Sequence, residues 1–193
     1  ITTAEDIANN TKKLYLIQTN AFQSFYIAPQ DNNKITTNNL LGDYLLWYFL
    51  DAGKVSNTQY YYIVNNITGK YIYNSNGNGR LIDLISSTDF TNLSNDDKEK
   101  CKFKFVLDES NGTTGFYNID VKASQTYYGL NKQGGSQSND NPIRLTDNTY
   151  IHQFNSKWTF IRFNGTFTWP APPFTPSTSL INIMKKCMLN ILE

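Results

Sequence analysis

The 193-residue sequence predicts an all-β domain of about twelve short strands, grouped as three units of four around one core. Three observations carry this. The composition is 15% aromatic, with thirteen Tyr and twelve Phe, and only 17% charged, which favours strands and polar turns over long helices. One pattern recurs three times: YLIQTNAFQSFYI from Tyr15, YYIVNNITGKYIY from Tyr61 and YNIDVKASQTYYG from Tyr117 share Tyr first, Ile third and an aromatic at the eleventh place. Each copy then runs through a short apolar segment into an aromatic-X-Phe strand, at Trp47-Tyr48-Phe49, Phe103-Lys104-Phe105 and Trp158-Thr159-Phe160.

The opening Tyr residues are 46 and 56 positions apart, too far for propeller strands, and three units are too few for a solenoid. Three four-stranded units closing one core define a β-trefoil, in which six strands form a short barrel and three hairpins cap it. The repeats span about 13–56, 59–112 and 115–164 within a domain over 1–166. Tyr15, Tyr61, Tyr117, Ile17, Ile63, Ile119, Trp47, Phe103 and Trp158 are its expected core.

The other segments follow in order. Thr2-Thr3-Ala4-Glu5-Asp6 resembles a capping box before a short helix. The second unit carries an insertion between Ser86 and Lys100, where Ser94-Asn95-Asp96-Asp97 predicts the start of one surface helix. Gly77-Asn78-Gly79-Arg80 lacks the later residues of a phosphate loop and reads as a hairpin turn. The third unit carries KQGGSQSNDN from Lys132, a glycine-rich stretch that predicts an exposed mobile loop. Phe167 to Ser179 holds four prolines and predicts an extended linker over 167–179. Leu180, Ile181, Met184, Met188, Ile191 and Leu192 then have helical spacing, for a short amphipathic helix or the start of a further domain over 180–193.

Charge and chemistry narrow the function. Seventeen Lys and Arg against sixteen Asp and Glu give no basic field for nucleic acid. No run is long and apolar enough for membrane insertion, and the chain begins without Met, as a mature or excised piece would. Cys101 and Cys187 have no metal-like spacing, so no cofactor or metal is expected; they read as a buried apolar residue and an incidental thiol. The single histidine, His152, has no nucleophile setting around it. The acids fall mostly in turns, where Asp serves turn geometry rather than paired-carboxylate chemistry. Asn-X-Ser/Thr triplets, as at Asn66 and Asn92, are what an Asn-rich chain contains by chance. The chain therefore reads as a non-enzyme, and low Cys and charge with abundant Tyr and Asn suggest an extracellular or bacterial cell-surface domain.

From about Lys12 to Phe163 the pattern resembles the β-trefoil domains of the ricin-type lectin-like superfamily. In sugar-binding members an acid and an amide fix vicinal hydroxyls while an aromatic in an Asn-X-Ile-Gln-Leu-Trp run covers the apolar sugar face, before a closing Gln-X-Trp. The third copy matches best: Asn141-Pro142-Ile143-Arg144-Leu145-Thr146 keeps the Asn, Ile and Leu, and Asn155-Ser156-Lys157-Trp158 keeps the Asn and Trp. Gly129 or Leu130 stands in place of the acid, Thr146 in place of the stacking aromatic and Ser156 in place of the Gln. The other copies depart further, with Ile27 and Tyr73 at the acid position. The resemblance implies a ligand site of other groups, with Tyr128, Asn131, Asn141, Arg144 and Asn155 as candidates.

Three functions stay open: a recognition module for glycans, a spacer or protein-docking module, and a Kunitz-type protease inhibitor. The expected partners are a glycan or protein and other domains of one parent chain, with the module itself a monomer.

Overall fold

A computed structural model describes residues 2, 6, 11–22, 24–75, 82–110, 115–122, 127–133, 137–147 and 149–165, with backbone alone at 127 and 128. The described residues form twelve strands: β1 Leu14–Thr19, β2 Tyr26–Pro29, β3 Ile35–Asn38, β4 Trp47–Val55, β5 Thr58–Asn65 and β6 Tyr71–Tyr73, then β7 Asp83–Ile85, β8 Phe103–Leu107, β9 Tyr117–Val121, β10 Tyr127–Lys132, β11 Asn141–Asp147 and β12 Trp158–Phe163.

Six strands close a ring. The antiparallel pairs β1–β4, β4–β5, β5–β8, β8–β9, β9–β12 and β12–β1 complete the circuit, so the barrel has no free edge. Tyr15 faces Trp47, Tyr61 faces Phe103 and Tyr117 faces Trp158 across three of these pairs. The residue after each opening strand binds across to the residue before a closing aromatic: Asn20, Asn66 and Lys122 donate backbone N–H groups to the carbonyls of Lys157, Leu46 and Lys102, each at 2.8 Å.

Three hairpins, β2–β3, β6–β7 and β10–β11, branch from β1, β5 and β9. They also bind one another: β3 pairs with β11, Lys34 bridges to Asp83, and Ile82 N–H donates to the Ile143 carbonyl at 3.4 Å. Ile35, Ile82 and Ile143 lie fully buried where they meet, closing one end of the barrel.

The pleat explains the core. Alternate residues point inward, so Ile17, Ile63, Ile119, Trp47, Phe103 and Trp158 are all fully buried, as the sequence predicts. Trp47 and Trp158 donate their indole N–H groups to the carbonyls of Ile27 and Leu130, both at 2.9 Å; Phe103 has no such donor. Further along the barrel Phe49, Phe105 and Phe160 meet on its axis, with ring centroids 4.6, 5.0 and 5.3 Å apart.

Three expectations need correction. Tyr15 and Tyr61 pack against the core and Tyr117 against Phe160, but all three are only half-buried, because their position along the strands puts them at the open end of the barrel. The insertion holds two helices, α1 Ser87–Asn92 and α2 Asn95–Glu99, each opened by a serine whose hydroxyl accepts from the N–H three residues on. Lys132 is fully buried at the end of β10 rather than exposed in a loop; positions 137–140 of that stretch are exposed. The turn at Gly77, the linker over 167–179, the helix over 180–193 and Cys187 lie outside the described residues, as does most of the Thr2–Asp6 helix. Thr2 itself donates its N–H to the Phe49 carbonyl at 2.8 Å.

Phe49 touches both other rings of the axial triangle, so Phe49→Ala should cost about 3–5 kcal/mol, read from urea unfolding. Trp158→Phe, which orphans one carbonyl and keeps most of the packing, should cost about 1–2 kcal/mol.

Candidate functional site

The candidate residues of the third copy lie on β10 and β11 and on the segment that follows, beside β9. Ile119, Leu130, Ile143 and Leu145 point into the core, so by alternation Asp120, Gly129, Asn131, Arg144 and Thr146 line the opposite, outer face. The register sets Asp120 beside Gly129, Gly129 beside Thr146, and Asn131 beside Arg144.

Residues 149–157 fold over this face and are tied down by amides. Asn118 Nδ2 donates to the Ile151 and Ser156 carbonyls at 2.8 and 3.1 Å. Asn131 Nδ2 donates to Ser156 Oγ at 2.8 Å, and that hydroxyl donates to the Tyr150 carbonyl at 2.9 Å. Gly129 permits the closure: a Cβ there would lie 3.1 Å from Ile151 Cγ1 and 3.3 Å from Asp120 Oδ1.

The five predicted residues separate accordingly. Asn131 and Arg144 face each other across the ladder, and Asn155 follows in the 3-10 turn Phe154–Ser156, next to the serine that Asn131 holds. Arg144 is half-buried, and its Nε has no hydrogen-bond partner among the described residues. Asn141 belongs elsewhere, at the start of β11 on the parity of the core residues. Its Nδ2 donates to the Ser138 carbonyl at 2.9 Å and its own carbonyl accepts from Thr36 Oγ1 at 2.8 Å, so it fastens two hairpins. The Tyr128 backbone lies at a register irregularity of β10, and its side chain is outside the described residues.

The sequence reading passed over three neighbours. Tyr150 and Phe154 are 48% and 54% exposed on the covering segment, with Phe154 next to Asn155 in the chain. They stand four residues apart, a helical spacing, yet the segment folds as turns and a 3-10 turn. Asp120, counted among the turn acids, is instead a buried strand residue; Asp51, Asp83 and Asp147 also lie in strands.

Electrostatics divides the two acids beneath the segment. Burial pushes the Asp120 carboxyl up to about 6, only partly offset by Lys104, whose Nζ is 3.8 Å away. For Asp108, burial is outweighed by hydrogen bonds from Ser110 and His152 and by the Lys157 charge, which together hold the carboxyl well below the usual range. Lys157 is fully buried; its Nζ donates to Ser110 O at 2.6 Å and Ser110 Oγ at 2.9 Å and lies 3.4 Å from Asp108 Oδ1. His152, mostly exposed, places Nδ1 3.0 Å from Asp108 Oδ2. This is a charge-compensated support for the segment. No group of three His, Cys, Asp or Glu side chains suited to a metal ion occurs among the described residues. Cys101 is buried, and burial pushes its thiol up to about 12. No described helix is long and apolar enough to cross a membrane.

Comparison with solved structures places the chain among β-trefoils. It is similar to a GlcNAcα1-4Gal-releasing endo-β-galactosidase from Clostridium perfringens, at 14% identity and a TM-score of 0.57 over 79% of this chain, and it spans only 33% of that protein. It is similar to the β-trefoil BEL, at 13% identity and a TM-score of 0.55, covering 78% of this chain and 93% of that one. A Polyporus squamosus lectin, solved with the epitope Neu5Acα2-6Galβ1-4GlcNAc, matches at 13% identity and a TM-score of 0.59, over 78% of this chain and 49% of its own. At such identities the likeness is one of fold. No family model matches the sequence, and no curated protein does.

The acids predict opposite pH responses. An Asp120 raised in the fold binds a proton that the unfolded chain has released between about pH 4 and 6, so its contribution to stability falls as pH rises through that window. Asp120→Asn should stabilise the chain by about 1–3 kcal/mol at pH 7.5 and flatten that slope. Asp108, depressed, stabilises above the ordinary carboxylate range and loses this as pH falls. Asp108→Ala should cost about 3–5 kcal/mol at pH 7 by leaving the Lys157 ammonium without its anion. Thermal unfolding from pH 2 to 8 reads both, the Asp108 response below about pH 4 and the Asp120 response above it.

Proposed function

We propose that the chain is a non-catalytic carbohydrate-recognition module of a larger secreted or surface protein. In this reading it is built of three equivalent units, 13–56, 59–112 and 115–164, and the third carries the ligand site. The observation that carries the proposal is the outer face of that unit, where Arg144 and Asn131 sit side by side on the ladder and the covering segment that Asn131 holds carries Asn155 with the exposed Tyr150 and Phe154. Sugar recognition needs both parts: directed polar groups for hydroxyls and a flat apolar surface for the C–H face of the ring. The aromatic that Thr146 does not provide is supplied in this reading by Phe154 or Tyr150, from the segment that Asn118 and Asn131 hold rigid. The Polyporus squamosus lectin among the solved neighbours supports the same reading.

A protein-docking role is the second reading, favoured by Leu40 and Leu41, adjacent and 61% and 49% exposed. An extracellular location suits both readings, and the domain limits 1–166, 167–179 and 180–193 belong to the proposal.

A broad glycan array probed with the full chain tests it. Saturable binding should fall about tenfold, or ~1.4 kcal/mol, in Phe154→Ala and further in Arg144→Ala with Asn155→Ala. A blank array from folded protein would sink the lectin reading and turn attention to Leu40 and Leu41.

A further inference from the structure

The barrel is closed at one end by three hairpins. At the other end lies a cavity of about 790 Å³ that none of the candidate sugar residues lines. Phe49, Phe105 and Phe160 line it together with Tyr15, Tyr61 and Tyr117. Each tyrosine sits on one phenylalanine: Tyr15 on Phe49 at 5.0 Å and Tyr61 on Phe105 at 4.8 Å, both stacked, and Tyr117 on Phe160 at 5.4 Å, tilted.

One side of the mouth is built up by the long hairpin β4–β5, whose tip contributes Asn57, Thr58 and Gln59 to the lining. A register shift between Asp51 and Lys54, with Gly53 at φ +89°, bends that hairpin. Asp51 fixes the bend: Oδ1 accepts from Gly53 N–H at 2.7 Å and from Gln59 Nε2 at 2.8 Å. Next to it stands β8, paired with β5, where Leu107 lines the cavity while remaining 52% exposed, and Lys104 is the single charged residue of the lining.

We propose that this axial cavity is a second ligand site, which takes a small flat-ringed compound that is neutral or carries one negative charge. Its size and its six aromatic rings interspersed with polar groups fit a small-molecule site. Six rings offer stacking surface, the tyrosine hydroxyls and the Asn57 amide offer hydrogen bonds at the rim, and Lys104 selects against cations. This inference stands apart from the proposed sugar site, because the two share no lining residue.

The test titrates the full chain with two fluorescent probes of similar shape, anionic 8-anilinonaphthalene-1-sulfonate and neutral N-phenyl-1-naphthylamine. Both should bind saturably at one site per chain and weaken by about tenfold or more in Leu107→Glu, and likewise in Thr58→Trp, which fills the mouth from the hairpin tip. Lys104→Met should weaken the anionic probe alone. Leu40→Glu, on the other exposed apolar patch, should leave both unchanged. Near-ultraviolet circular dichroism confirms folding of each variant. Non-saturable binding, binding that survives Leu107→Glu and Thr58→Trp in folded protein, or loss of binding in Leu40→Glu would overturn the proposal. Equal effects of Lys104→Met on both probes would overturn its charge preference.

Discussion

The axial contact of Phe49, Phe105 and Phe160 is the constraint on which the rest depends. Each ring comes from a different pair of barrel strands, β4, β8 and β12, and each reaches the axis only when all six strands have paired. A ring that moves off the axis loses both partners at once, and its stacked tyrosine follows. Closure and core packing are therefore one event: strand pairing delivers the rings, and the rings set the radius at which the strands can pair. The hairpins at the far end repeat the arrangement with Ile35, Ile82 and Ile143.

Much of this was legible in the sequence, because a barrel core is written in period-two apolar positions. Ile17, Ile63 and Ile119 could be read from spacing alone, and so could the closing aromatics Trp47, Phe103 and Trp158. The tyrosines opening each copy share that spacing but end at the open mouth, and spacing along a strand does not say how far along the barrel axis a residue sits. The bend of β4–β5 was illegible for a related reason: Asp51 and Gly53 look like ordinary turn residues until the pairing register shows that they interrupt a ladder.

The candidate face shows a third limit. The resemblance singles out Asn131, Arg144, Asn155 and Asn141; the register sets Asn131 beside Arg144, and alternation puts Asn141 on the opposite face of β11. Asp120 and Lys157 were missed because burial decides their role. The buried Lys157 is held by a carboxylate and a carbonyl that come from another part of the chain, Asp108 and Ser110. Such pairing leaves no local pattern to read.

The ladder between β1 and β12 has a mechanical consequence. Leu14, where the first barrel strand begins, lies opposite Phe163, where the last one ends, so the chain enters and leaves the barrel at one point. A tether pulling on those two positions would load the ladder from its end, parting Leu14 from Phe163, then Tyr15 from Arg162, one rung after another. The load would never spread across six rungs in shear, and the seam would open like a zip at low force.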